Sequence, residues 1–182
     1  MTLQDSSTAY GAVSIAMHWL LAAVVIALLA TGVVAGELLD GATRSAVLGP
    51  HKAAGVAVLA VVAAMGLWRL TQRTRPGAIP GTPPVAAFAR KAMHVFLILG
   101  TVALSVSGVV MAVFKGKDIN VFNLFVIPAQ AETPWLAGAA HEVHVVGGWI
   151  LLVAVLGHVA VAAKHHLVDH DATFVRMVGK GA

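Results

Sequence analysis

The chain has no cysteine among its 182 residues, a single tyrosine, and only 11% Asp, Glu, Lys and Arg. Without cysteine there can be no disulfide, no thiolate-held metal and no reactive-thiol chemistry. Soluble domains carry roughly 25% charged residues, so the scarcity of charge excludes an ordinary water-soluble fold. Acidic residues are also rare within the apolar stretches, which argues against a metal held by carboxylates. The first ten residues, MTLQDSSTAY, hold no Lys or Arg and no obvious cleavage site. The first apolar run is therefore expected to be retained as a span rather than removed as a signal peptide.

What is present is apolar: 59% of the chain. It falls into four runs, at about 13–35, 48–70, 92–114 and 142–166. Each approaches the ~20 residues a helix needs to cross a bilayer. Helix is the state expected, because a lone strand in lipid leaves its backbone polar groups unpaired. The expected fold is an all-α integral membrane four-helix bundle, one domain over residues 1–182, with no soluble second domain and no internal repeat. Small residues such as Ala53-Ala54-Gly55 and Gly147-Gly148 allow either tight helix packing or room for a bulky cofactor. Residues 71–89, with Pro76, Pro80, Pro83 and Pro84, read as an irregular linker. In the segment 115–140, Phe122, Leu124, Phe125, Val126 and Ile127 suggest a short interfacial helix or a lid. The four tryptophans, Trp19, Trp68, Trp135 and Trp149, read chiefly as belt anchors.

Four spans place both termini and the second connection on one side. That side carries Arg69, Arg73, Arg75, Arg90, Lys91, Lys164, Arg176 and Lys180; the other carries Arg44, Lys52, Lys115 and Lys117. The bias of cations toward cytoplasmic loops puts both termini in the cytoplasm. The surroundings expected are lipid, not nucleic acid.

Histidine is the residue type that does not belong in these runs. His18, His94, His144 and His158 lie inside them, and His51 stands at the mouth of another. An imidazole in hydrocarbon is costly unless something engages its ring nitrogen. His144 and His158 are fourteen residues apart, a rise of about 21 Å and a return to within about 40° of the same face. Depth then pairs His51 with His144 near the outer surface. It pairs His158 with His18 near the inner one, with His94 as the rival or neighbour. A lone intramembrane histidine is easily explained by a hydrogen bond to the next helix; five at two matched depths are not. Zinc would need three or four ligands at one depth. Paired imidazoles gripping a flat iron cofactor fit better.

In its ordered histidines the chain resembles the bacterial cytochrome b561 family of four-helix membrane cytochromes. The resemblance runs over almost the whole length. It rests on His18-Trp19-Leu20, on His51 followed by Gly55, and on His94 with Gly108-Val109-Val110-Met111. Its strongest part is His144, His158 and His165-His166, followed by Asp171 and Arg176-Met177. The family's usual His-Glu pair matches His141-Glu142, while the spacing to His158 matches His144; spacing is followed, with His141 as the alternative.

The resemblance implies two haem b groups, non-covalently bound, with His18 and His158 on one iron and His51 and His144 on the other. Covalent attachment would need a Cys-x-x-Cys-His motif, and there is no Cys. It also implies a superoxide oxidase of the bacterial inner membrane: superoxide would donate electrons at the outer surface and ubiquinone would accept them. Lys52, Lys115 and Lys117, with Arg44, flank the outer site and would draw in the small anion. His94 and His165 would help bind or protonate quinone. A second reading is a haem-bearing anchor for a partner redox protein such as a dehydrogenase or hydrogenase. A third is a membrane scaffold or transporter without redox chemistry.

Overall fold

A computed structural model of the chain describes residues 2–77, 79 and 81–179. Pro80 and Lys180, counted above in the linker and among the cations, lie outside the described residues. Four long helices dominate: α1 (Ala12–Val33), α2 (Gly41–Thr71), α3 (Pro84–Val113) and α4 (Pro134–Leu167). α1 runs on through a π-helical turn, Val34–Leu38. With that turn, the four are 27, 31, 30 and 34 residues long, each apolar enough to cross a membrane.

Consecutive helices pack side by side, and α4 closes the ring against α1. The middle of the bundle is held by Val25, Val58 and Leu151, with Leu21, Leu28, Leu97, Leu104 and Val155 around them. α3 and α4 approach by a reciprocal fit. A Cβ on Gly100 would lie 2.9 Å from Leu151, and one on Gly147 would lie 2.9 Å from Leu104. Each leucine thus occupies the space its partner helix leaves by having no side chain there. The outward faces remain apolar, with Leu99 62% and Val153 68% exposed. That is the pattern of a surface meant for lipid.

The helices extend beyond the apolar runs. α2 begins at Gly41 and carries Pro50 within it. α3 begins at Pro84, so residues 84–89 of the expected linker are helical; Pro suits the first helical position, where no N–H bond is needed. The segment after α3 is not a helix. Its strands β1 (Ile119–Val121) and β2 (Phe125–Ile127) form an antiparallel hairpin. Phe122 and Asn123 take φ of 52° and 60°, and the Leu124 amide donates to the Val121 carbonyl at 2.9 Å. Two successive positive φ values make the tight hairpin turn whose twist matches its strands. Asn120 braces it, accepting from the Asn123 amide at 2.7 Å. Ile119 and Val121 are buried against Ala112 and Val113, so the hairpin closes the bundle at the end opposite both termini. We term the hairpin end the outer end and the end with the termini the inner end.

At the inner end three segments knit together. The Asp5 amide donates to Gln72 Oε1 and the Gly11 amide to Asp5 Oδ1. The short helix α5 (Ala172–Val175) packs against α4. Trp19 Nε1 donates to the Met177 carbonyl at 2.8 Å, and Trp68 Nε1 to Ser14 Oγ at 3.0 Å. These two indoles, expected as belt anchors, each hold one element of the inner end to another.

Candidate functional site

The bundle brings the histidines together in two tiers. At the outer tier the rings of His51 on α2 and His144 on α4 face one another, centroids 6.2 Å apart and planes at 82°. At the inner tier His94 on α3 and His158 on α4 lie 5.1 Å apart at 84°. His18 on α1 lies near both. His141 is elsewhere, its Nδ1 3.3 Å from Met111 Sδ.

The hydrogen bonds fix which nitrogen of each ring is free. His144 Nδ1 lies 2.9 Å from the Leu104 carbonyl, and His94 Nδ1 lies 2.7 Å from the Arg90 carbonyl. A carbonyl can only accept, so both Nδ1 atoms carry the hydrogen. His51 Nδ1 is 3.0 Å from Thr31 Oγ1. That hydroxyl already donates to the Ala27 carbonyl at 2.7 Å, so His51 donates to it. In all three rings Nε2 is left with a bare lone pair. An outer partner on Nδ1 and a free Nε2 is the usual arrangement of a metal-binding histidine. His18 and His158 have no side-chain hydrogen bond among the described residues, which leaves both nitrogens of each available.

Two features of the outer tier fit a flat iron cofactor. Imidazole nitrogens bonded to one metal each stand ~2 Å from it, which separates the ring centres by roughly 6 Å; the observed spacing agrees. Glycines also stand where side chains would intrude. A Cβ on Gly108 would lie 2.9 Å from His144 Cε1, and one on Gly32 would lie 3.4 Å from His51 Cε1.

This chain is similar over its whole length to known proteins. The family model for prokaryotic cytochrome b561 matches residues 9–180. The chain belongs to the prokaryotic cytochrome b561 family. It is 33% identical to cytochrome b561 homolog 2 of Escherichia coli (strain K12), with 100% of this chain and 97% of that one aligned. It is 30% identical to cytochrome b561 homolog 1 of the same organism, over 57% of this chain and 58% of that one. The cytochrome is thus a multi-pass membrane protein that binds b-type haem and transfers electrons. The imidazole tiers could hold that haem, and the bundle is the helical membrane fold the sequence implied.

The remaining expected site residues sit around these tiers. At the outer end Lys52 is half-buried and its Nζ donates to the Asp118 carbonyl at 3.4 Å, while Lys115 and Lys117 are exposed. Lys52, Asp118, Asn120 and Asn123 line a cavity of about 360 Å³ between α2 and the hairpin, with Gly49, Pro50 and Ala53 on either side of His51. The hairpin wall stands where the sequence suggested a short interfacial helix or a lid, and it is the lid, built of strands.

At the inner end His165 is bound to Asp171 at 2.6 Å and to Asp169 at 3.3 Å. Lys164 holds Asp169 at 2.6 Å. Asp171 is also the N-cap of α5, accepting from the Thr173 amide at 2.7 Å. Partial burial pushes its carboxyl up, but the bonds from Thr173 and His165 prevail and hold it below the usual carboxylate value. Missed in the sequence were the supports: Thr31 and the carbonyls of Leu104 and Arg90; Gly108 was noted there only as part of a motif, not for its contact with His144. Of these only Thr31, a lone hydroxyl in the run Leu28-Leu29-Ala30-Thr31, carried a readable signal.

Proposed function

We propose that this cytochrome carries two haem b groups and works as a superoxide oxidase of the bacterial inner membrane, with both termini in the cytoplasm and ubiquinone as acceptor. The observation that carries the reading is the stacking of imidazoles in two tiers, one toward each end of a bundle that crosses the bilayer. His51 and His144 hold the outer group. His18 and His158 hold the inner one. The 5.1 Å between His94 and His158 is about 1 Å shorter than a shared metal requires, and His94 opens instead onto a cavity at the inner surface.

The two imidazoles of each tier would hold a haem, which would supply one-electron chemistry. The protein supplies the rest. Lys115 and Lys117, exposed beside the outer cavity, and Lys52 in its wall raise the local concentration of a small anion. Two superoxide ions give up one electron each and leave as dioxygen. Ubiquinone takes both electrons and two protons to become ubiquinol. His94 and His165 stand at the inner end, where those protons enter from water. His165 keeps Nδ1 on Asp171 and offers Nε2 as the exchangeable position.

Stopped-flow mixing of the purified cytochrome with superoxide, with and without added quinone, tests this. Fast reduction of haem, followed by reoxidation only when quinone is present, is expected. Haem left oxidised by superoxide would refute it. A second reading, a haem-bearing anchor for a partner dehydrogenase or hydrogenase, draws on the hairpin, where Phe122, Leu124 and Phe125 are 55%, 80% and 52% exposed. It predicts no response to superoxide and electron entry only when the partner is added.

A further inference from the structure

A small cavity at the inner end is walled by Tyr10, Arg90, His94, Thr173, Arg176 and Met177. Its volume is about 60 Å³, far below the ~300 Å³ at which pockets begin to hold ring-sized ligands. A carboxylate fits; a quinone ring does not. Two arginines and the chain's single tyrosine line it, within a chain that has few charges. The backbone places both arginines at this end. Arg90 lies on α3, and its carbonyl takes the His94 Nδ1 hydrogen. Arg176 follows α5, and four contacts fasten that segment across the bundle end. Arg176 Nη1 donates to the Gly77 carbonyl at 2.9 Å. Trp19, beside His18, donates to Met177 and meets the Phe174 ring edge-on at 6.4 Å. His166 packs on Phe174 at 4.9 Å.

Haem b brings two carboxylates at one edge. Left unpaired at the margin of the hydrocarbon they would be costly, and a guanidinium pairs with a carboxylate through parallel N–H bonds. We propose that Arg90, Arg176 and Tyr10 are the seat of the carboxylate edge of the inner haem, and that the C-terminal segment is the clasp that brings Arg176 to it. The proposal rests on the two-haem reading above. The cations lie where they favour the reduced iron, whose net charge is one unit more negative, so they raise the inner midpoint potential and leave the outer one alone.

The test is a spectroscopic redox titration of the purified holoprotein. Wild type must first show two haems; one or none would sink the two-haem reading before any variant is compared. Arg176→Gln and Arg90→Gln should each lower the inner midpoint potential or lose the inner haem, and the double variant should do so more. The outer haem should stay unchanged. Arg176→Lys should recover most of the loss, and Trp19→Phe, which loosens the clasp, should shift the potential in the same direction by less. Both potentials unmoved, with only the quinone KM raised, would assign the cavity to the acceptor and overturn the proposal. Equal shifts of both haems would reduce the arginines to a general surface field and overturn it too.

Discussion

Gly108→Ala tests the outer tier through a single methyl. The new Cβ would lie 2.9 Å from His144 Cε1 and 3.1 Å from its Nδ1. Carbon contacts are comfortable from about 3.5 Å, so the ring must withdraw by roughly 0.6 Å. It is not free to do so, because Nδ1 is held at 2.9 Å by the Leu104 carbonyl and a retreat of that size would take the bond to the edge of its range. Without haem the ring can swing away; with haem it is fixed at both nitrogens, and the strain is expressed. Overpacking of this kind costs about 1–3 kcal/mol. Alanine also favours helix over glycine by about 1 kcal/mol, but that gain is the same with and without haem and cancels in the affinity. Outer-haem affinity should therefore fall roughly 5- to 150-fold. The assay is transfer of haem to an excess of a scavenger globin, followed in the visible spectrum. Gly138→Ala, where a Cβ would meet nothing within 4 Å, is the control. If Gly108→Ala gives up its outer haem no faster than that control, the account of His144 is wrong.

Other substitutions bear on the same reasoning. His144→Ala should remove one haem and leave the other, counted by pyridine haemochrome, while His141→Ala should keep both; the reverse result would move the outer ligand by one helical turn. Neutralising Lys52, Lys115 and Lys117 together should slow reduction by superoxide about tenfold at low salt and flatten its salt dependence; an unaltered rate discards the attraction argument. Asp171→Ala removes the α5 cap and should loosen the C-terminal segment by about 1 kcal/mol, read as faster proteolysis of the tail. The folded-state pKa of Asp171 is depressed, so its contribution is complete above the ordinary carboxylate value and is lost as pH falls through the lowered one. Tail release in wild type should accordingly begin only in that acid range, and release at neutral pH would contradict it.

The spans and the two depths of histidine were legible because both follow from one-dimensional rules: run length and residues per turn. His51 facing His144 was readable because both lie near the outer start of their runs, and fourteen residues return His158 to the face of His144. The hairpin was not. Phe122 to Ile127 is apolar and aromatic without a helical or strand period long enough to decide. Its turn uses Phe122-Asn123 rather than the Asn-Gly pair that announces such turns. The inner tier was half legible: depth brought His18, His94 and His158 together, but only the packing of α3 on α4 sets the 5.1 Å between two of them. Arg176 was visible as a motif residue; its return to the bundle depends on Trp19 and Gly77, far away in sequence.

The two outer imidazoles are oriented by unlike partners, and this has a practical side. His144 answers first to the Leu104 carbonyl at 2.9 Å, which no point substitution can delete, with the Ser107 hydroxyl farther off at 3.3 Å. His51 answers to the Thr31 hydroxyl, which can be exchanged for serine, valine or alanine. If these imidazoles hold the haem, position 31 is the more direct dial by which evolution or an engineer could retune the centre without exchanging either histidine, because Thr31 is the partner His51 donates to.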